Sequence, residues 1–303
     1  MPRRCLRAQA TTEARRPASF IPKRLGQPRA KLGAMLTFFD HVTITVLDVA
    51  AALSAYTRLL GTRPTWRGDH PELGTSAGLF GLANSLIEIV GPHDHAPEAE
   101  ALRILLRTRG EGLQALAFGC DDALAASADF RTRGLRATQP QEGEAHGIDG
   151  VTRRYRTVEL STRTTRGLSV LAVERSKPEE LRGPAPTDPS AMHALDHVAI
   201  RTTDIDAARA LYGEGMGVRL ALERDLAGRR MLFFRIGDVT LEVVEDKAVG
   251  EQDAFYGLTY RVRDLEAAHA RLLRAGFALS EPRQGMKPGT RVFTVRDGTC
   301  GVP

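Results

Sequence analysis

The stretches that decide the fold are Phe39-Asp40-His41-Val42-Thr43-Ile44 and Leu195-Asp196-His197-Val198-Ala199-Ile200, which align on each other at an offset of 156 residues. In each, an aspartate follows the histidine by seven residues, Asp48 and Asp204. Val42, Ile44 and Val46 alternate with His41, Thr43 and Thr45, the period-2 pattern of a half-buried strand. The histidine falls on the polar face of that strand, so it is not simply filling a core.

Each strand leads into a helix. Asp48 reads as the N-cap of a helix with Val49, Leu53, Tyr56 and Leu60 on one stripe and Gly61 as its left-handed stop. Asp204 repeats this with Ile205, Ala208, Leu211 and Tyr212. Three short strands follow each helix, the last being Leu86-Ile87-Glu88-Ile89-Val90 in the first copy and Leu241-Glu242-Val243-Val244 in the second. The separations are 47 residues from His41 to Glu88 and 45 from His197 to Glu242, so the repeating unit is βαβββ. Two weaker copies follow. One opens at Gly112-Leu113-Gln114-Ala115-Leu116-Ala117-Phe118, with Asp122 as cap and a helix ending at Arg133-Gly134. The other opens at Gly257-Leu258-Thr259-Tyr260, with Asp264 as cap, Leu265, Ala268 and Leu272 as helix face and Gly276 as stop. Pro178, Pro184, Pro186 and Pro189 mark residues 177–193 as an extended linker. The expected organisation is a tail over 1–35, a first domain over 36–176, the linker, and a second domain over 194–303.

This pattern resembles the vicinal oxygen chelate superfamily, the glyoxalase, bleomycin-resistance and extradiol-dioxygenase group, over residues 36–303. The resemblance implies an α+β protein of two tandem domains, each a pair of βαβββ modules forming one open barrel-like sheet. It implies a divalent metal held by residues of the first and last strands, with substrate oxygens completing the coordination. The chain is therefore expected to be a glyoxalase- or dioxygenase-like metalloenzyme, a lyase, isomerase or dioxygenase acting on a small oxygenated organic substrate. The alternative is a metal-free protein of bleomycin-resistance type that sequesters a small apolar ligand.

His41, Glu88, His197 and Glu242 are the expected metal ligands, with Fe, Zn, Mn or Ni as the ion, or no ion at all. Their chemistry agrees: a neutral imidazole and a carboxylate suit these metals, and a glutamate set among apolar neighbours needs a cation or hydrogen-bond donors to offset its burial. Glu88 and Glu242 are also candidate catalytic bases, since apolar surroundings raise a carboxyl toward neutral-pH proton transfer. A lone strand histidine is more often a hydrogen-bonded structural residue, and a strand glutamate at an edge often faces solvent. What argues for a joint role is that the pair occurs twice at matching spacing. The weaker modules do not supply partners: the histidine position falls on Ala115 and Gly257, and the glutamate position on Val170 or past the last residue. Gln114, His146, Glu159 and Tyr256 are near enough in sequence to fill the gap, and nothing in the spacing selects among them. Gly301-Val302-Pro303 aligns with Gly167-Leu168-Ser169, so the last module is expected to lack its final strand and to expose a sheet edge, as in a truncated product. The first domain is on that ground the expected seat of function. His93 and His95 have an HxH spacing but read as a solvated loop; Arg67, His70 and Thr75 occupy a place where clefts carry specificity groups; Arg153 and Arg154 read as a solvated pair able to hold an anion.

The 303 residues carry 42 Lys+Arg against 37 Asp+Glu. Residues 1–34 contain nine basic residues and one acidic, a charge of +8 that leaves the remaining chain at −3. The tail mixes Pro, Gly, Ala and Thr without apolar periodicity and reads as disordered, either a leader or sequence preceding a start at Met35. With no basic face on the acidic body, nucleic acid is not an expected partner; a small molecule is, and a homodimer is compatible. No long apolar run suggests a membrane span, and Cys5, Cys120 and Cys300 form no CxxC, which points to a reduced, cytoplasmic setting. There is no GxGxxG, P-loop or GxSxG spacing, so nucleotide and serine-hydrolase chemistry are disfavoured.

Overall fold

Two eight-stranded sheets share one continuous core in the computed structural model of the chain, which describes residues 6–11, 36–93, 96–226 and 228–302. The first strand in chain order, β1 (Leu6–Thr11), belongs to the second sheet. The first sheet is built from β2 (Phe38–Thr45), β3 (Trp66–His70), β4 (Thr75–Gly81), β5 (Leu86–Pro92), β6 (Gly112–Gly119), β7 (Gln141–Gly147), β8 (Thr152–Leu160) and β9 (Ser169–Arg175). These close into a barrel in the order β2-β5-β4-β3-β7-β8-β9-β6. Helix α1 (Val49–Leu60) connects β2 to β3, α2 (Glu100–Arg109) connects β5 to β6, and α3 (Ala123–Thr132) connects β6 to β7.

The second sheet adds β10 (Ala194–Thr202), β11 (Arg219–Leu226), β12 (Arg229–Ile236), β13 (Val239–Glu245), β14 (Ala254–Val262), β15 (Arg283–Gln284) and β16 (Thr290–Val295), in the order β11-β12-β13-β10-β14-β1-β16-β15. Its helices are α4 (Ile205–Arg209), prolonged by a π-helical turn over Ala210–Gly215, and α5 (Leu265–Arg274).

The aspartates read as caps all cap: the side chains of Asp48, Asp122, Asp204 and Asp264 each accept a backbone N–H of the first helical turn, satisfying donors that would otherwise be orphaned. Gly61 ends α1 at φ 76°, a conformation that costs other residues a steric clash. On the apolar face of β2, Val42, Ile44 and Val46 are fully buried with Tyr56 and Leu60 of α1. Each such side chain contributes roughly 1.5–3 kcal/mol of burial. The same core runs on through Leu195, Val198 and Ile200 of β10. Across the junction, the Tyr56 hydroxyl donates to the Thr299 carbonyl at 3.1 Å, and the Arg271 guanidinium donates to the carbonyls of Arg58 and Leu59 at the end of α1.

The units differ in closure. In the first, β3 meets β7 through Gly68 opposite Gly147 and Asp69 opposite His146. A side chain at Gly68 would overlap the His146 carbonyl and come within 2.9 Å of the Gly147 Cα, so the seam closes only on glycine. In the second, β11 and β15 stand at opposite edges of an open sheet. The expected pair of open sheets therefore holds for the second unit, whereas the first is shut.

Other expectations are revised. Most of the tail lies outside the described residues, but Leu6–Thr11 forms a strand, parallel to β14 and antiparallel to β16. These are the pairings β9 makes with β6 and β8, so β1 occupies the place expected to be an exposed edge. Residues 177–193 are not simply extended: Pro178–Leu181 forms a 3-10 turn, and Leu181 is buried against the first barrel.

Candidate functional site

The site begins with an irregularity of backbone. Neighbouring residues of a strand point to opposite faces, yet Asp40 Oδ1 lies 2.5 Å from Nδ1 of His41. The pairing of β2 with β6 shifts register between Phe39 and His41, a bulge that turns Asp40 to the histidine's side. Arg175 at the end of β9 reaches the same carboxylate at 3.3 Å. Nε2 of His41 then faces Glu88 Oε2 at 3.5 Å, and Thr43 donates to that oxygen at 2.8 Å. Arg175, Asp40, His41 and Glu88 thus form one continuous relay of polar contacts.

Burial alone would raise the Asp40 carboxyl, but Arg175 and His41 outweigh it and hold it at about 2. Burial also pushes Glu88 up, and His41, His70, the Thr43 hydroxyl and Arg175 together bring it below its ordinary value. His70 points into the same barrel, with Nδ1 3.0 Å from the Tyr155 hydroxyl; burial depresses its pKa against the pull of Glu88. Burial pushes the Tyr155 hydroxyl up to about 12. Trp66, Leu79, Leu86, Ala145 and Leu181 fill the rest of the interior, and His41 is 4% exposed.

The second unit repeats the relay on an open sheet, with His197 and Glu242 still largely shielded. A register shift between Leu195 and His197 places Asp196 Oδ2 3.0 Å from Nδ1 of His197. Arg261 donates to Asp196 at 2.7 Å, and Nε2 of His197 lies 3.5 Å from Glu242 Oε2 and 2.9 Å from the Thr259 hydroxyl. Burial alone would raise Asp196, but its bonds with His197 and Arg261 drive it far below the usual carboxylate range. A shallow hollow of about 20 Å³ is lined by His197, Glu242, Tyr256 and Thr259, room for about one water-sized group. Tyr256 is 40% exposed and lies under the Arg201 guanidinium, 4.9 Å from its ring centre.

The structure thus brings His41 to Glu88 and His197 to Glu242. Of the residues considered as further partners, Tyr256 lines the second hollow and His70 enters the first barrel. Gln114 lies in a separate cavity between the units; His146 pairs with Glu144 on the surface at 3.4 Å, and Glu159 is exposed. Arg67 is exposed, Thr75 is buried at the start of β4, and Arg153 and Arg154 pair with Asp149 and Glu144. His93 makes a loop hydrogen bond to Gly74, and His95 lies outside the described residues. Sequence reasoning misses Asp40, Asp196, Arg175 and Arg261; the repeated Asp-His dipeptide is their signal, hidden because period-2 geometry assigns its two side chains to opposite faces.

The strand register also corrects one position. Thr43 pairs with Glu88, and in the second module the equivalent Ala117 pairs with Leu171, so Leu171 and not Val170 occupies the glutamate's place. Val170 packs in the core instead. In the fourth module the equivalent register position, opposite Thr259, is Arg7. In each unit one imidazole nitrogen faces one glutamate, with His70 also inside the first barrel, and Ala115, Leu171 and Gly257 stand where further donors would be. Among the described residues no group of three or more His, Cys, Asp or Glu is arranged to hold a metal ion. Neither arrangement gathers the three or four protein ligands that a resident divalent metal takes.

Comparison with known proteins agrees with this architecture. The model of the family described as Glyoxalase-like domain matches residues 39–215, and that of the Glyoxalase/Bleomycin resistance protein/Dioxygenase superfamily matches residues 194–302. The chain belongs to the glyoxalase-like family of the vicinal oxygen chelate superfamily. No curated protein matches it. Among solved structures it is similar to a variant of 4-hydroxymandelate synthase from Streptomyces coelicolor, with 16% identity and a TM-score of 0.59 over 80% of this chain and 76% of that one. A hypothetical protein from Staphylococcus aureus is 8% identical, with a TM-score of 0.57 over 74% of this chain and 98% of that one. A methylmalonyl-CoA epimerase from Mycobacterium tuberculosis is 23% identical, with a TM-score of 0.39 over 49% and 93%. For the first two, at such identities, the likeness is one of fold. No helix among the described residues is long and apolar enough to cross a membrane.

Proposed function

We propose that the chain is an enzyme acting on a small oxygenated organic molecule by proton transfer at the His197–Glu242 pair, with the first unit as its structural support. The observation that carries this reading is the second relay itself: Asp196 holds Nδ1 of His197, leaving Nε2 beside Glu242 on an open sheet. An imidazole so held presents one defined nitrogen as a base. Nε2 takes a proton from a carbon next to a carbonyl, leaving an enolate. The imidazolium formed is flanked by the carboxylates of Asp196 and Glu242, exchanges its proton with solvent, and returns a proton to another position or face of the enolate. The net change is an isomerisation or epimerisation with no outside reagent. Tyr256, with Arg201 stacked on it, offers an apolar wall for the body of the substrate.

The buried twin at His41 has the same groups, walled in by Trp66 and Leu181 inside a closed barrel. The test is exchange of carbon-bound hydrogen. The full chain is incubated in D₂O with a panel of 2-oxo acids and hydroxyketones, and loss of C–H signal is followed by proton NMR. The expected result is exchange that falls at least about 100-fold in His197→Ala and Glu242→Gln and persists in His41→Ala. Exchange unaffected by His197→Ala, or abolished by His41→Ala in a folded protein, would sink the proposal.

A further inference from the structure

Between the two units lies a cavity of about 250 Å³ that the relays do not use. Its volume equals that of about eight waters, enough for a small organic molecule, and junctions between domains are where such sites concentrate. The first unit contributes Arg109 at the end of α2, Glu111, and Leu113 and Gln114 of β6; the second contributes Gln252 and the start of β14. The apolar part of the wall is Leu113, Leu168 and Phe255.

The polar part of the wall presents exposed groups that no side-chain partner engages among the described residues. Arg109 has no ion pair or side-chain hydrogen bond among the described residues, nor has the Gln252 amide; that of Gln114 makes only a 3.5 Å contact to the Gly110 carbonyl. Glu111 accepts the Leu47 backbone N–H at 2.7 Å but has no cationic partner among the described residues. The other charges at this wall neutralise each other: Arg166 donates to Asp253 at 3.0 Å. Arg166 sits at φ 57°, a left-handed conformation that a non-glycine residue keeps only when its surroundings fix it, and its carbonyl accepts the Asp253 N–H at 2.7 Å. The loop is thereby pinned across the junction. Gly167 beside it has φ 96° and no side chain, and the Gln252 side chain occupies that notch.

One unpaired guanidinium, one unpaired carboxylate, two amides and an apolar floor match a molecule that carries both charges and an apolar body. From this we infer that the inter-unit cavity is a binding site for a small zwitterion, the chemistry of an apolar α-amino acid. Its carboxylate meets Arg109 and the amides, its ammonium meets Glu111, and its side chain lies against Leu113, Leu168 and Phe255. A simple carboxylate would satisfy Arg109 and be repelled by Glu111, and a simple amine the reverse.

The test is calorimetric titration of the full chain with L-leucine, 4-methylpentanoate, which lacks the ammonium, and 3-methylbutylamine, which lacks the carboxylate. The expected result is one saturable L-leucine site per chain, with each analogue at least tenfold weaker. Arg109→Gln and Glu111→Gln each weaken L-leucine at least tenfold, and Glu111→Gln narrows the gap to 4-methylpentanoate. Both residues are exposed, and the amide oxygen introduced by Glu111→Gln still accepts the Leu47 N–H, so the variants retain the wild-type circular dichroism. Backbone amide shifts of Gly112 and Gly167 on adding L-leucine locate the site independently. No saturable L-leucine binding, binding indifferent to both substitutions, or analogues that bind as well as L-leucine would each overturn the inference. His197→Ala leaves L-leucine binding unchanged, so this result and that of the hydrogen-exchange assay stand or fall separately.

Discussion

Asp40 and Asp196 each precede a histidine by one residue and still grip its Nδ1, which requires the backbone to bulge at that point in both units. Placed so, Asp40 is ionised far below the ordinary carboxyl value of 3.8, at about 2, by Arg175 and His41, the charged groups that face it. A carboxyl depressed on folding stabilises the fold above its unfolded pKa, and that contribution disappears as pH falls toward the folded value. Between about pH 4 and about pH 2 the wild type therefore loses about 2 kcal/mol through this group. Urea unfolding of wild type and Asp40→Asn across that range checks this: the stability gap between them is expected to shrink steadily on acidification, and a constant gap contradicts it. Asp196→Asn removes the acceptor that fixes the protonated nitrogen of His197. Nitrogen NMR is expected to show Nδ1 losing its proton preference, with hydrogen exchange on the substrate panel falling at least about tenfold while the circular dichroism is retained. The histidines and glutamates of these relays are legible from their spacing. Their aspartate and arginine partners are not, because a bulge is decided by pairing with a distant strand and leaves no mark in local alternation.

At the scale of elements, the four aspartate caps, the glycine stop of α1 and the alternation of β2 follow directly from the residues, because each is satisfied within a few positions along the chain. Helix α2 is not anticipated, although Leu102, Leu105 and Leu106 sit at i, i+3 and i+4 on one face; it is an insertion between two repeats, and only Leu106 is fully buried. Closure of the first barrel is likewise a meeting of distant strands, resting on Gly68 against the His146 carbonyl. Gly68→Ala is expected to part β3 from β7 at a cost of about 1–3 kcal/mol, measured by chemical denaturation. The same variant is expected to make His41 react faster with diethyl pyrocarbonate, since it is now shielded at 4% exposure. Unchanged stability together with unchanged reactivity would show that the seam does not depend on glycine.

Across the whole molecule, the repeat of βαβββ units carries the architecture and the superfamily, while the difference in closure between the two sheets is seen only in the structure. The first sheet closes because β3 meets β7, while β11 and β15 stay at opposite edges of the second; His197 is more accessible than His41, and Glu242 and Glu88 are about equally shielded. The two units remain one body, tied by the shared core and by Arg271 on the end of α1. The central claim is that the His197–Glu242 pair exchanges protons and that neither relay is a metal centre. Its most direct test is elemental analysis of the full chain after exposure to Zn, Fe, Mn and Ni in turn and desalting, for wild type, His197→Ala, Glu242→Gln and His41→Ala. The account predicts far less than one ion per chain, with no difference among the four proteins. One ion per chain in the wild type, lost on substitution of either His197 or Glu242, would contradict it.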